Sequence, residues 1–216
     1  MDNACEGLDM TPKNLLMLNG AMFGDAYGGS YRFATELAEA FVKRDINVHL
    51  LAANVAENKP KNEMIAGIHV HRYSQPNTRN PLMNGLQHIW RTRRELKALI
   101  AKEPFDLVWG HSPLQTAAYL SIAFSSGKLR PPLIYSVHSP WLLERHSNKG
   151  RVNLIEYAAI QIIEPWIIRS ATLVHSLSVA MLEETTRTYH IKIPENKVLI
   201  LPGGTRRVYS SEENLC

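Results

Sequence analysis

The chain has 216 residues, of which 45% are hydrophobic and 20% charged, a balance that excludes a disordered tail or a collagen-like repeat. At this length one or two domains are expected, and folding removes roughly 70% of the unfolded surface, so no disulfide or metal is needed to hold a core. The net charge of +4 is a mild basic excess that identifies no partner, and the two cysteines, Cys5 and Cys216, stand in no CxxC or zinc spacing.

Leu15–Leu18 reads as a buried strand, followed by a loop carrying Gly20, Gly24, Gly28 and Gly29. From Ser30, a predicted N-cap, Phe33, Leu37, Ala40 and Phe41 recur at helical spacing. Val48–Leu51 and Ile68–Val70 are the next strands, separated by a polar stretch with Asn58, Lys59 and Pro60. Leu82, Leu86, Ile89, Leu96 and Ile100 then form one helical stripe, with Arg91, Arg93, Arg94 and Lys97 largely off it. Asp106–Trp109 and Leu133–Val137 are strands flanking a helix from Leu114 to Phe124. A long helix is expected over Arg151–Arg169, with a restart at Pro165, since proline suits a first turn and not an interior. Leu173–Val174 is a strand, Ser178 caps a helix ending near Tyr189, and Val198–Leu201 is the seventh strand. Seven strands joined by helices imply right-handed crossovers and one doubly wound, mostly parallel α/β sheet flanked by helices.

The first ten residues, MDNACEGLDM, carry three acids and no apolar block, so no signal peptide is expected there. The longest apolar stretch, Ala158–Ile168, is broken by Gln161, Glu164 and Pro165, short of the ~18 residues of a membrane span. These features predict a soluble, cytoplasmic protein. The basic stretch Arg91–Lys102 leaves contact with a membrane surface open, although a solvated face fits it better. No basic stripe interleaved with aromatics marks a nucleic-acid surface.

In doubly wound sheets ligands bind at the C-terminal strand ends, where the strand order reverses, and four loops there carry chemistry. Gly28-Gly29 before a helix lets an anion or sugar approach backbone N–H groups, or simply makes a tight turn. The glycine spacing does not match the dinucleotide G-x-G-x-x-G, and Gly127-Lys128 lacks the rest of a phosphate loop. Gly110-His111-Ser112-Pro113-Leu114 lacks the closing glycine of a nucleophile elbow. His138 follows its strand directly and can donate to a sugar hydroxyl or act as a base. Ser178 reads first as a cap and second as a ligand contact. His69 and His71 share a strand face, but no third ligand is placed by the sequence, so no metal site is expected.

Taken in order, these segments resemble glycosyltransferase family 4, the retaining, two-domain GT-B enzymes. The matching pieces are GGSYRFATELAEAFVKRDINVHLLAA, FDLVWGHSP, PPLIYSVHSPW, RSATLVHSLSVAMLEE and ENKVLILPGG. The resemblance covers roughly residues 13–209 and implies the N-terminal, acceptor-side domain, Rossmann-like, over 13–202, with a tail over 1–12 and a remnant of the interdomain linker over 203–216. It implies transfer of a sugar from a nucleotide-sugar to a glycan or a lipid-linked hydroxyl, with retention. Gly28 and Gly29 would meet the donor's diphosphate or sugar, His138 would be catalytic, and His111 and Ser178 would bind substrate. No metal or other cofactor is implied, and no acidic pair of the DxD kind stands on a strand end.

The family's Glu-x7-Glu pair belongs to its second domain; the same spacing at Glu95/Glu103 and Glu156/Glu164 lies in first-domain helices and is read as chance. Thr205 follows Gly204 where the family has Val-Asp, and SEENLC ends the sequence soon after. A truncated, frameshifted or split chain is therefore expected, inactive without a separate donor-binding half. A non-catalytic domain that binds a sugar or glycolipid, and a degenerate fragment, are the alternatives.

Overall fold

The computed structural model describes residues 12–55, 59–78, 80–126, 130–149 and 152–203. Cys5, Cys216, Asn58, Gly127, Lys128 and the segment from Gly204 onward lie outside the described residues. Eight strands form one sheet in the order β3-β4-β2-β1-β5-β6-β7-β8. They are β1 (Asn14–Leu18), β2 (Asn47–Asn54), β3 (Asn62–Ile65), β4 (Ile68–Ser74), β5 (Leu107–Gly110), β6 (Leu133–Val137), β7 (Leu173–Ser176) and β8 (Val198–Ile200). Every pairing is parallel except β3 with β4. The helices are α1 (Gly29–Val42), α2 (Pro81–Ile100), α3 (Pro113–Ser126), α4 (Trp141–Lys149), α5 (Leu154–Ser170) and α6 (Val179–Tyr189).

The expected α/β sheet is therefore present, with two elements added. β3, Asn-Glu-Met-Ile, alternates exposed and half-buried positions at the sheet edge, so it lacks the apolar run that marks the interior strands. α4 is short and polar, Trp-Leu-Leu-Glu-Arg-His-Ser-Asn-Lys, too brief for its periodicity to stand out. The restart expected at Pro165 does not occur: α5 runs through it, because Glu164, Pro165, Ile167 and Ile168 are all buried and packing holds the helix where a hydrogen bond is missing.

Two cores lie on opposite faces. α1 packs Ala34, Ala38, Leu37 and Phe41 against Leu15, Met17, Val48 and Leu50. The other face buries Leu16, Leu18, Leu51, Val108 and Tyr135 under residues of α2, α3, α5 and α6. Right-handed crossovers explain the asymmetry. β1 to β2 steps one way along the sheet, and β4 to β5, β5 to β6, β6 to β7 and β7 to β8 step the other, which puts α1 on its own side. The order reverses between β1 and β5, so the crevice opens where the loops after these two strands diverge.

Among the described residues no helix is long and apolar enough to cross a membrane.

Candidate functional site

The site grows from the loops after β1, β5, β6 and β7. Asn19, directly after β1, is fully buried, and the glycine loop beyond it is pinned from outside by a fully buried arginine. Arg72 of β4 binds Asp25 at 2.6 Å and Glu63 at 2.8 Å, and donates to the Pro60 carbonyl. The loop then enters α1 at Gly28, which is the N-cap in place of the expected Ser30. No side chain caps this helix and no acid stands in its first turn, so its positive end is not neutralised from within. A Cβ on Gly29 would meet nothing within 4 Å, so no protein contact demands a glycine there. Ser30, freed from capping, lines two hollows beside His138.

Position after a strand places His111 and His138 side by side. His111 Nδ1 lies 3.2 Å from His138 Nε2, and the rings stack at 5.5 Å. Phe33 of α1 packs on both, and on His175 at 5.5 Å in a stacked arrangement. Burial pushes His138 down to about 4, with His175 adding to the shift. Burial first, then His138 and His175, holds His111 well below the ordinary histidine range. Both rings are thus neutral at pH 7, and His111 Nε2 is buried without a hydrogen-bonding partner.

Beneath them runs a chain whose direction is dictated by its ends. The Trp109 indole N–H donates to Ser136 Oγ at 2.8 Å, and Ser136 Oγ lies 2.8 Å from His175 Nδ1. His175 Nε2 lies 3.0 Å from the Leu201 carbonyl, which can only accept. His175 therefore carries its proton on Nε2, Ser136 donates to Nδ1, and the indole fills the serine lone pair. One polar line ties β5, β6, β7 and the segment after β8.

The far wall is built on Glu164 of α5. Its carboxylate receives the Tyr135 hydroxyl at 2.8 Å, the Trp141 backbone N–H at 2.8 Å and the Tyr189 hydroxyl. Tyr189 Oη in turn accepts from the Leu142 N–H at 3.1 Å. The start of α4 is thus capped from inside the core. Burial raises Glu164 to about 7 although three hydrogen bonds favour its ionised form. His111, His138, Tyr31, Glu144, Trp141 and Glu164 line a hollow of about 60 Å³. A second, of about 330 Å³, joins Gly29, Ser30, Phe33, His138 and the Arg32–Glu36 ion pair to Leu177 and Gly203.

The sequence reading named Gly28, Gly29, His111, His138 and Ser178. The structure brings Gly29, His111 and His138 to these hollows, with Gly28 adjacent. Ser178 is exposed and spends its hydroxyl capping α6, accepting from the Met181 N–H at 3.2 Å, while its neighbour Leu177 reaches the larger hollow. The sequence reading missed Phe33, Ser136, Glu164 and His175. A lone acid inside an apolar helix and polar residues inside apolar strands were the available signals.

The members of the two Glu-x7-Glu spacings have different partners. Glu95 pairs with Lys61 and Glu103 lies 2.9 Å from His49 Nε2, while Glu156 pairs with Arg145 and Glu164 takes the two tyrosines. His69 and His71 do share a face, with His49 stacked against both, but no group of His, Cys, Asp or Glu among the described residues has metal-holding geometry.

Residues 27–206 match the model of Glycosyltransferase Family 4. Among solved structures, the chain is similar to sucrose-phosphate synthase from Thermosynechococcus elongatus, with TM-score 0.69 and 16% identity over 89% of this chain and 48% of that one. It is also similar to the lipopolysaccharide outer core galactosyltransferase WaaB (TM-score 0.55, 12% identity, 87% and 44% covered). The calicheamicin glycosyltransferase CalG4 follows (TM-score 0.52, 12% identity, 91% and 53% covered). At these identities the likeness shows the Rossmann-like fold of GT-B glycosyltransferases, and the chain spans about half the length of these structures. No curated protein matches the chain by sequence.

Proposed function

The chain belongs to glycosyltransferase family 4, and we propose that it forms the acceptor-side half of a cleft that passes a sugar from a nucleoside diphosphate to a hydroxyl with retention. A donor-binding half completes the cleft. The observation that carries this reading is the uncapped start of α1 beside His138, at the point where the strand order reverses.

The N-terminal turn of a helix of this length presents roughly half a positive charge and free N–H groups, suited to oxygens of a leaving diphosphate. Gly29 leaves room for them; Arg32, on the next turn, lines the same hollow with its guanidinium paired to Glu36 at 2.9 Å, so the charge offered to the phosphates is that of the helix start. His138 is neutral, so it donates a hydrogen bond to the transferred sugar without setting a cation beside the anomeric carbon, where positive charge develops. His111, beside His138 in the wall of the smaller hollow, bounds the acceptor side in this reading. Ser178 acts by fixing the start of α6 and so the position of Leu177.

Replacing His138 with alanine in the assembled enzyme should lower transfer about 100-fold or more, with the melting temperature nearly unchanged. Equal transfer by variant and parent would remove the assignment.

A further inference from the structure

A groove of about 230 Å³ runs between the first half of α2, the starts of α3 and α4, and α5. Its walls are chiefly Leu82, Leu86, Ile89, Trp141, Ile160 and Ile163. Trp141 is also a wall of the hollow holding His111 and His138, so the groove ends at the proposed site of transfer. Two of the lining residues, Leu82 and Leu86 of α2, also face solvent, and Leu86 is 53% exposed. Apolar side chains that both line a groove and face water are more than scattered surface residues.

Gly85 gives the groove its meaning. It lies in the interior of α2, where alanine is the better helix former, and it lines the groove. A Cβ there would meet nothing within 4 Å, and no positive φ requires glycine. Neither packing nor backbone conformation explains the residue, so its effect is to keep the groove clear. The polar groups nearby are mostly spent. Arg145 pairs with Glu156, and His88 Nδ1 lies 3.2 Å from the Tyr73 hydroxyl, leaving Asn84 Oδ1 as a buried acceptor without a partner. A saccharide chain needs many hydrogen-bonding partners and an anion needs free charge. This lining offers neither, and suits methylene groups.

We propose that the groove holds the aliphatic chain of the acceptor, so that the hydroxyl receiving the sugar belongs to a lipid-like molecule. This rests on the glycosyltransferase reading of the adjoining hollow. The occupant is one chain of one acceptor, whether that molecule is free or drawn from a bilayer.

Calorimetric titration of the full chain with n-alkyl β-glucosides below their micelle concentrations tests this. Affinity should be lowest for the methyl compound and rise about fourfold per added methylene until the groove is filled. Gly85→Leu should weaken octyl glucoside binding at least tenfold while the melting temperature holds or rises. Leu86→Ser, on the exposed rim, should weaken it by a smaller factor and serves if the first variant fails to fold. His71→Ala, at the opposite end of the sheet, should leave chain binding unaltered. Binding independent of chain length, or undiminished in both groove variants, would overturn the proposal. So would binding to anionic phospholipid vesicles without any binding of monomeric glucosides, which would mark a surface contact instead. Chain-dependent binding beside full transfer by His138→Ala would sink the catalytic reading alone, so the two failures are distinguishable.

Discussion

Three histidines crowd each end of the sheet, and their surroundings differ. At the end where the strands begin, His49 Nδ1 lies 3.0 Å from His71 Nε2, and His71 Nδ1 lies 2.9 Å from Asn62 Oδ1. His49 Nε2 faces Glu103 at 2.9 Å, close in charge terms though off the line of a hydrogen bond. Each ring nitrogen of that pair is thus set against a protein atom. At the opposite end His111 keeps a buried nitrogen without a partner, and the helix start beside it is uncapped. The two clusters differ in what stands beside them: a carboxylate lies 2.9 Å from His49 Nε2, whereas an uncapped helix start lies beside His111 and His138. Helix starts repeat the contrast: Glu164 and Tyr189 cap α4 from within, while nothing caps α1.

The largest effect expected from breaking this contrast is on transfer. His138→Ala should cost about 100-fold or more, and His71→Ala should cost nothing measurable, in the same assay of the assembled enzyme. Comparable losses from both would mean that the two ends are not distinct in function.

Glu164→Ala should destabilise the fold by about 3 kcal/mol or more, because three buried donors lose their acceptor, whereas Glu164→Gln should cost about 1 kcal/mol. Denaturant titration of the two variants would show whether the carboxylate organises the wall or merely fills it.

Stability against pH reports on both ends at once. His49, His71 and His138 are each pushed down to about 4 from 6.5, so the unfolded chain binds protons first and stability falls as pH drops from 6.5 toward 4. Glu164 runs the other way. Raised from 4.5 to about 7, its contribution is full below 4.5 and lost as pH climbs through 7. In Glu164→Gln, stability should therefore rise more steeply between pH 4.5 and 7 than in the parent. A parallel pair of curves would show that Glu164 titrates normally.

The smallest expected effect separates stability from binding. Gly29→Ala should leave stability within about 1 kcal/mol, or raise it, since its Cβ meets nothing and alanine favours the helix. It should nonetheless weaken binding of pyrophosphate.

The interior strands were legible in the sequence because a parallel strand covered on both faces is a run such as LLML or LIYSV. The edge strand β3 was not, because Asn62 and Met64 face solvent and leave no run. His111 and His138 could be found from position alone, directly after strands. His175 could not, since it sits inside β7 and its role comes from Ser136 and Trp109 across the sheet. Glu164 was visible only as an interruption in an apolar helix. Its meaning needed Tyr135 and Tyr189, which lie 29 and 25 residues away in the chain. Periodicity carries what a residue does within its own element, and cross-strand partners carry the rest.

The central claim is that the uncapped start of α1, beside His138, receives the phosphates of a sugar donor. Its most direct test is a titration of the isotopically labelled chain with inorganic pyrophosphate, followed by nuclear magnetic resonance. The account predicts that backbone amide signals of Gly29, Ser30 and Tyr31 move together, while His49 and His71 stay still. Movement confined to the His49–His71 end, or silence at α1 up to millimolar pyrophosphate, would contradict it.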